Sequence, residues 1–224
     1  MLADSCPSRL PARPRSVPQA RTAKLTHKAN LYFAAVPPPD VVAPMSDAWA
    51  RQGTGASFRH DKLHLTLLGV HKGEEPPVEL LDKLCGMKLA PRIGVFELQF
   101  DQMMAFHDAI VLAGSRRDRL PGFLAYDLHR AALRQAVVTT PLPRLTPHVT
   151  LAYGGGLPDP RALHRPIRWT VDEVFLALKR PDGSPLRRLA RWKLPMKGAI
   201  RLEEAERYVC RPVQLALPGL FSDG

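Results

Sequence analysis

Two histidines of this chain stand in the same short context, and that context suggests chemistry. His64 and His148 lie 84 residues apart, and each begins a His-x-Thr-Leu sequence. In a β-strand, residues i and i+2 project from the same face. Each histidine would therefore share a face with the threonine that follows it, Thr66 or Thr150, while the apolar residues between them point into a core.

This set of side chains is suited to reactions at a phosphoester. An imidazole titrates near 6.5, so a neutral histidine can take a proton from water while a protonated one donates to the departing oxygen. Threonine hydroxyls can hold the non-bridging phosphate oxygens. We predict His64 and His148 as catalytic and Thr66 and Thr150 as phosphate-binding. We expect no metal and no other cofactor, because neither motif contains an acidic residue and the chain has no HExxH sequence.

The elements that must position the two motifs also repeat along the chain. The first copy reads as a strand over 31–36, a helix over 41–49 and a strand over 63–70. The second reads as a strand over 109–113, a helix over 120–131 and a strand over 147–153. Each copy ends in the strand that carries a motif. The repeat predicts an internal duplication, with one histidine and one threonine in each half.

The remaining pattern predicts further elements of both types. A helix is expected over 77–87, a strand over 95–100, and a hairpin of 169–178 with 186–194 around Pro181-Asp182-Gly183-Ser184. The other six histidines lack a repeated context and are expected at the surface. They are His27, His60, His71, His107, His129 and His164.

Composition narrows the class of protein and its partners. The net charge is +11, from 32 basic and 21 acidic residues, which favours a polyanionic partner such as nucleic acid. Three scattered cysteines, Cys6, Cys85 and Cys210, form no CxxC pair and indicate reduced thiols. No apolar run is long enough to span a bilayer, and the N-terminus shows no signal-peptide pattern. We expect a cytoplasmic protein.

With these motifs in place, the chain resembles the 2H phosphoesterases, specifically the bacterial 2′-5′ RNA ligase and RNA 2′,3′-cyclic phosphodiesterase branch. The resemblance covers about residues 30–195. It is carried by Leu31-Tyr32-Phe33-Ala34-Ala35-Val36-Pro37, Leu63-His64-Leu65-Thr66-Leu67, Phe100-Asp101-Gln102-Met103-Met104, Pro147-His148-Val149-Thr150-Leu151, Ile167-Arg168-Trp169 and Arg191-Trp192-Lys193-Leu194.

The resemblance implies an α/β (α+β) fold of two lobes, with antiparallel-rich sheets, flanking helices and pseudo-twofold symmetry around a central basic cleft. It implies that the two His-x-Thr motifs form the active site. The implied activity is the metal-independent opening of a terminal 2′,3′-cyclic phosphate to a 2′-phosphate, with 2′-5′ joining of RNA ends as the activity behind the family's name. RNA with a cyclic phosphate end, or a small cyclic phosphodiester, is the expected partner of a protein that acts as a monomer.

Two positions depart from the family pattern and leave the substrate open. Gly69 stands where an aromatic residue is frequent, and Tyr153 stands where the second motif often has an arginine. Arg59, Arg116 and Arg144 are candidate substitutes for that arginine. Tyr153 is also a candidate for stacking on a base, as Tyr32 is.

We divide the chain into three segments. Residues 1–28, which hold six basic residues and one acidic residue, are expected to be a disordered Pro/Arg-rich tail, either merely solvated or attracting phosphate backbones. Residues 29–197 form the predicted catalytic domain, and residues 198–224 a C-terminal extension. Within the extension, 214–221 somewhat resembles a sliding-clamp-binding peptide, although packing on its own domain is the stronger expectation. Alternative functions are a phosphodiesterase for a small cyclic nucleotide or ADP-ribose cyclic phosphate, and a non-catalytic RNA-binding module.

Overall fold

A computed structural model describes residues 29–52, 56–116, 118–140, 145–154, 160–182 and 184–198. The predictions for the N-terminal tail, the C-terminal peptide, Arg144, Cys6 and Cys210 fall outside these residues. The helices are α1 (Pro39–Gln52), α2 (Val78–Cys85) and α3 (Leu120–Arg134), with a 3-10 turn at His60–Lys62. The strands are β1 (Ala29–Ala35), β2 (Leu65–Gly73), β3 (Phe96–Phe106), β4 (Ala109–Ala113), β5 (His148–Tyr153), β6 (Arg161–Val171), β7 (Glu173–Lys179) and β8 (Arg187–Lys193).

The described strands form one antiparallel sheet that consists of two similar halves. Its order is β6-β3-β4-β5-β2-β1-β7-β8, so that β5 and β2, the strands of the two motifs, are neighbours at the centre. The predicted repeat is present, because β1-α1-β2 in one half corresponds to β4-α3-β5 in the other. Both copies even have a register shift at the same level, between Phe33 and Ala34 in β1 and between Ile110 and Val111 in β4. The duplication and the antiparallel-rich fold class are therefore confirmed.

The two halves join at the motifs. Leu65 of β2 pairs with Val149 of β5 in an antiparallel bridge. Each of these residues directly follows its motif histidine, so equivalent positions face each other, as a pseudo-twofold axis through the bridge requires. In an antiparallel pair the neighbours run in opposite directions, which sets His64 on the side of Thr150 and His148 on the side of Thr66.

One predicted element is wrong. Residues 169–178 were expected to be a single strand of a hairpin, yet the strand ends at Val171 and a new one starts at Glu173. β6 pairs with β3 at one edge of the sheet, whereas β7 pairs with β1 and β8 near the other edge. Since Asp172 alone separates them, the sheet must curl until these regions meet. The expected hairpin exists, but it consists of β7 and β8.

Apolar residues on one face of the sheet build the core with the helices. α1 buries Val41, Met45 and Trp49 at helical spacing, and Met45 is fully buried. Among the described residues, no helix is both long and apolar enough to cross a membrane.

Candidate active site

The strand alternation predicted for the motifs is present in the structure. Leu65 and Leu67 of the first motif are 0% and 2% exposed, and Val149 and Leu151 of the second are both 0% exposed. The histidines and threonines on the other face are only partly buried. The buried leucines and valine therefore fix the strands, while the polar side chains of both motifs face the same side of the sheet, where β2 meets β5.

Both imidazoles are held by the same backbone contact. Nδ1 of His64 lies 2.7 Å from the carbonyl oxygen of Lys62, and Nδ1 of His148 lies 2.8 Å from that of Thr146. A carbonyl oxygen can only accept, so in each ring Nδ1 donates its proton. In the neutral ring Nε2 is then the unprotonated nitrogen, left to exchange protons with a substrate. This contact fixes the tautomer as well as the orientation of the ring.

His64 is the more enclosed of the two histidines. Its ring stacks on Tyr32, with ring centroids 5.0 Å apart and planes inclined by 28°. Burial lowers the pKa of His64 from 6.5 to about 4, and the positive charges of Lys179 and Arg59 and the nearby His148 contribute to the lowering, against the hydrogen bond to Lys62. His64 is therefore neutral at physiological pH in the unliganded protein.

His148 has a different neighbour. Its ring packs at a tilt of 37° against Phe106, with ring centroids 5.1 Å apart. Phe106 ends β3 and is 39% exposed. The second histidine is thus supported by an aromatic ring at the open side of the site rather than by one within the core.

Positive charge gathers around Tyr153 on the His64 side. The guanidinium carbon of Arg59 lies 4.6 Å from the centre of the Tyr153 ring, and Nζ of Lys179 lies 5.8 Å from it. Partial burial lowers the pKa of Lys179, with a further contribution from the positive charges of Arg59 and Lys62. Arg59 and Tyr153, two of the predicted substrate-binding residues, are thus brought together, and Arg59 lies close enough to His64 to act on its pKa. A cluster of this kind can bind an anion.

Sequence reasoning missed Lys179 and Phe106 as site residues and considered Tyr32 only as a candidate for base stacking. None of them belongs to a His-x-Thr motif, and each reaches the site through strand pairing. Tyr32 pairs with Ala177 and Asn30 with Lys179, so it is the β1–β7 contact that brings Lys179 to the site. The sequence held no signal for this contact. Tyr32 is 7% exposed beneath His64, which leaves no room for a base on its ring in this conformation.

Other predicted residues lie elsewhere. Arg116 is exposed in the turn after β4. His129, expected at the surface, is partly buried, and a hydrogen bond of 2.6 Å joins its Nδ1 to the hydroxyl of Thr139. In the described ranges, no three His, Cys, Asp or Glu side chains are grouped so that they could hold a metal ion.

Gly69 has a structural explanation. A Cβ at this position would lie 2.9 Å from Oγ1 and 3.1 Å from Cγ2 of Thr140. The amide and the hydroxyl of Thr140 both donate to the Gly69 carbonyl, at 3.0 and 3.1 Å. The glycine therefore lets the segment after α3, which leads to the second motif, lie directly on β2.

Comparisons with known proteins agree with this architecture. The family model of the 2′-5′ RNA ligase superfamily matches residues 37–183. A search of curated protein sequences found no significant match. A crystal structure described as a phosphoesterase has 21% identity and a TM-score of 0.62, with 74% of this chain and 98% of that chain covered.

Two named structures are similar in the same way. E. coli LigT, solved with 3′-AMP, has 21% identity and a TM-score of 0.61, with coverage of 75% of this chain and 98% of LigT. TT0787 of Thermus thermophilus has 25% identity and a TM-score of 0.52, with coverage of 75% of this chain and 98% of TT0787. Since the family model spans more than half of the chain and the fold matches, this chain belongs to the 2′-5′ RNA ligase superfamily of 2H phosphoesterases.

Proposed function

We propose that this protein is a metal-independent RNA 2′,3′-cyclic phosphodiesterase of the 2′-5′ RNA ligase type, acting in the cytoplasm. The observation that carries the proposal is the pair of imidazoles, each tied through Nδ1 to the carbonyl two residues before it and each accompanied by a threonine. Two rings that are held in the same tautomer on one face of the sheet are suited to accepting one proton and donating another.

The reaction follows from this arrangement. One histidine, neutral, accepts a proton at Nε2 from water as the water oxygen attacks phosphorus. The other, protonated, donates to the 3′ oxygen as the bond between phosphorus and that oxygen breaks, which leaves a 2′-phosphate and a 3′-hydroxyl. Thr66 and Thr150 donate to the non-bridging oxygens. With an RNA hydroxyl in place of water, the same forward steps join two RNA ends: the hydroxyl oxygen bonds to phosphorus as the bond to the 3′ oxygen breaks, which leaves a 2′-5′ phosphodiester and a 3′-hydroxyl.

The charge around the site fits a phosphate substrate. Arg59 and Lys179 lie together at the Tyr153 ring, and their charges reach His64. A phosphate anion bound there would offset the two cations and raise the pKa of His64, so that both of its protonation states become accessible during the reaction. Structures of E. coli LigT include complexes with 3′-AMP and with phosphate, and this supports a nucleotide phosphate as the ligand of the related fold.

The edge of the sheet favours an RNA chain over a mononucleotide. Arg188 pairs with Ala177 and Arg191 with Phe175, and both partners lie on the face of β7 that Tyr32 shares with His64. Arg188 and Arg191 are exposed, and Arg188 is held over the Phe175 ring at 4.7 Å. β8 lies three strands from β2, or about 14 Å. These arginines can therefore contact phosphates upstream of the reacting end.

The test is a hydrolysis assay with a chelator present. An oligonucleotide that ends in a 2′,3′-cyclic phosphate is incubated with the protein, and the product is identified by mass and by its sensitivity to a 3′-specific or a general phosphatase. We expect a 2′-phosphate product, and turnover about a thousandfold lower in His64→Ala and in His148→Ala. A small cyclic nucleotide is assayed in parallel.

The substrate class is tested with paired variants of similar exposure and ion pairing. Arg191 is 67% exposed and 3.8 Å from Glu173, and Arg168 is 70% exposed and 3.8 Å from Glu97. Arg191→Gln should weaken oligonucleotide binding and reduce its salt dependence, whereas Arg168→Gln should do so less. Turnover of small cyclic nucleotides alone would favour the small-substrate enzyme, and RNA binding without any turnover would favour the non-catalytic module.

A further inference from the structure

Tyr32 has a buried hydroxyl that the fold itself does not use. This hydroxyl is shielded from water and has no hydrogen-bond partner in the described structure. A buried hydroxyl without a partner is destabilising, because it gives up its bonds to water and gains none in return. Phenylalanine would fill the same space without that cost, so packing alone does not account for a tyrosine here.

The hydroxyl belongs to the active site by position. The Tyr32 ring stacks on His64 at 5.0 Å. The hydroxyl lies close enough to Arg59 and Tyr153 for both to act on its pKa, which burial raises above the usual value. The group therefore stays protonated at physiological pH and is available as a donor on the cationic side of the catalytic cleft.

We propose that the Tyr32 hydroxyl donates a hydrogen bond to an anionic oxygen of the bound phosphoester, beside His64. The proposal rests on the proposed function, because it needs a phosphate group in this cleft. It identifies Tyr32 as a further catalytic residue, one that has no partner in the free protein and gains one only when the substrate is bound.

Access to the hydroxyl depends on the side chains around it. Arg59 and Lys179 both rest on the ring of Tyr153, which is 48% exposed. A phosphate competes for both cations, because charge-assisted hydrogen bonds are stronger than contacts with an aromatic face. When the cations turn to the phosphate, the Tyr153 ring loses both contacts. Since Tyr153 lies near enough to the Tyr32 hydroxyl to act on its pKa, a movement of this ring is the step that would expose the hydroxyl to the cleft.

The test is Tyr32→Phe, which removes the hydroxyl alone. The thermal midpoint should rise by about 2–4 °C, since a destabilising buried group is lost. The kcat for a cyclic-phosphate-terminated oligonucleotide should fall by between about tenfold and a hundredfold. Binding of inorganic phosphate, measured by calorimetry, should weaken as well. A gain in stability combined with a loss of activity is a result that a merely structural tyrosine would not give.

Tyr126→Phe is the matched control. Tyr126 lies on α3, where its ring contacts Arg92 outside the site, so its loss should change neither activity nor phosphate affinity. If Tyr32→Phe gains stability but keeps wild-type kcat and phosphate affinity, the proposal is overturned. A loss of stability would also overturn it, because the hydroxyl would then be bonded within the protein. If the wild type binds phosphate without turnover, the proposed function fails, and phosphate affinity alone decides the role of Tyr32.

Discussion

The two halves of the sheet share a backbone and differ in what surrounds their histidines. At one level of the sheet, β1 carries Tyr32 opposite Gly69, and the equivalent pair in the other half is Ala109 opposite Tyr153. At this pair of positions each half has one aromatic residue, but the two aromatic residues lie on non-equivalent strands. In the first half it lies beneath His64, and in the second it projects to the mouth of the site and meets Arg59.

This difference has a chemical consequence. A duplication places two equal imidazoles together, yet acid–base catalysis needs one ring protonated while the other is neutral. Identical surroundings would give both rings the same proton affinity. The surroundings of the two rings differ: His64 is enclosed between Tyr32 and positive charge, which lowers its pKa, whereas His148 packs beside the exposed Phe106. The shared backbone therefore provides the geometry, and the divergent side chains provide the asymmetry.

The largest expected effect tests whether the two halves work as one unit. His64→Ala and His148→Ala should each lower kcat by about a thousandfold, because each removes one side of the proton transfer. The double variant should be little worse than either single variant, since a pair that acts together is not additive. Single-turnover kinetics measures this, with the exposed His164→Ala as control. Losses that multiply in the double variant would mean that the two rings act independently.

The next prediction concerns the difference in burial between His64 and His148, and it is measured as the stability of the protein against pH. The folded pKa of His64, about 4, lies below the ordinary 6.5, so the unfolded chain binds more protons between these pH values. The contribution of neutral His64 to the free energy of unfolding is fully present above pH 6.5. It is lost as the pH falls to 4, which lowers that free energy by about 3 kcal/mol. His64→Asn should remove this part of the acid destabilisation in urea titrations.

The control for that experiment is His164→Asn, which removes one exposed imidazole. Its stability should fall with pH as steeply as that of the wild type. If His64→Asn keeps the wild-type slope between pH 6.5 and 4, the enclosed environment assigned to His64 is wrong.

A third effect tests the charge difference between the halves. Lys179→Gln should raise KM by about tenfold, because a charged hydrogen bond to the phosphate is lost. It should also raise the pKa of His64, since the charge of Lys179 contributes to holding that pKa down. Kinetics and NMR titration of the imidazole measure the two changes. Lys83→Gln makes the same charge change at an exposed position of α2 and should leave both KM and the pKa of His64 unaltered. An equal effect of Lys83→Gln would mean that the net charge of the protein, and not the position of Lys179, causes the change.

The part of this site that local pattern encodes could be predicted from the sequence. His64 and His148 are predicted as site residues because both carry one motif near the start of a strand, and the alternating apolar residues show which face is buried. What could not be predicted depends on partners distant in sequence. The break at Asp172 follows from curling of the whole sheet, and Lys179 enters the site only because β7 pairs with β1. Gly69 departs from the family pattern for a similar reason, since its neighbour is Thr140.

Gly69 offers the smallest and most local test of the comparison. Gly69→Ala places a Cβ against the Thr140 side chain and should disturb the hydrogen bond from the Thr140 hydroxyl to the Gly69 carbonyl. Alanine also lowers the entropy of the unfolded chain, which stabilises the fold, but the lost contact should cost more than this gain. We expect a loss of about 1 kcal/mol in the free energy of unfolding, measured in urea. In a Thr140→Ala background the clash is absent, so the same substitution should be neutral or stabilising. Tyr153→Ala, at the equivalent but 48% exposed position, should cost less. If Gly69→Ala lowers the free energy of unfolding equally in both backgrounds, glycine is needed for the backbone of β2 and not for the contact with the segment that leads to His148.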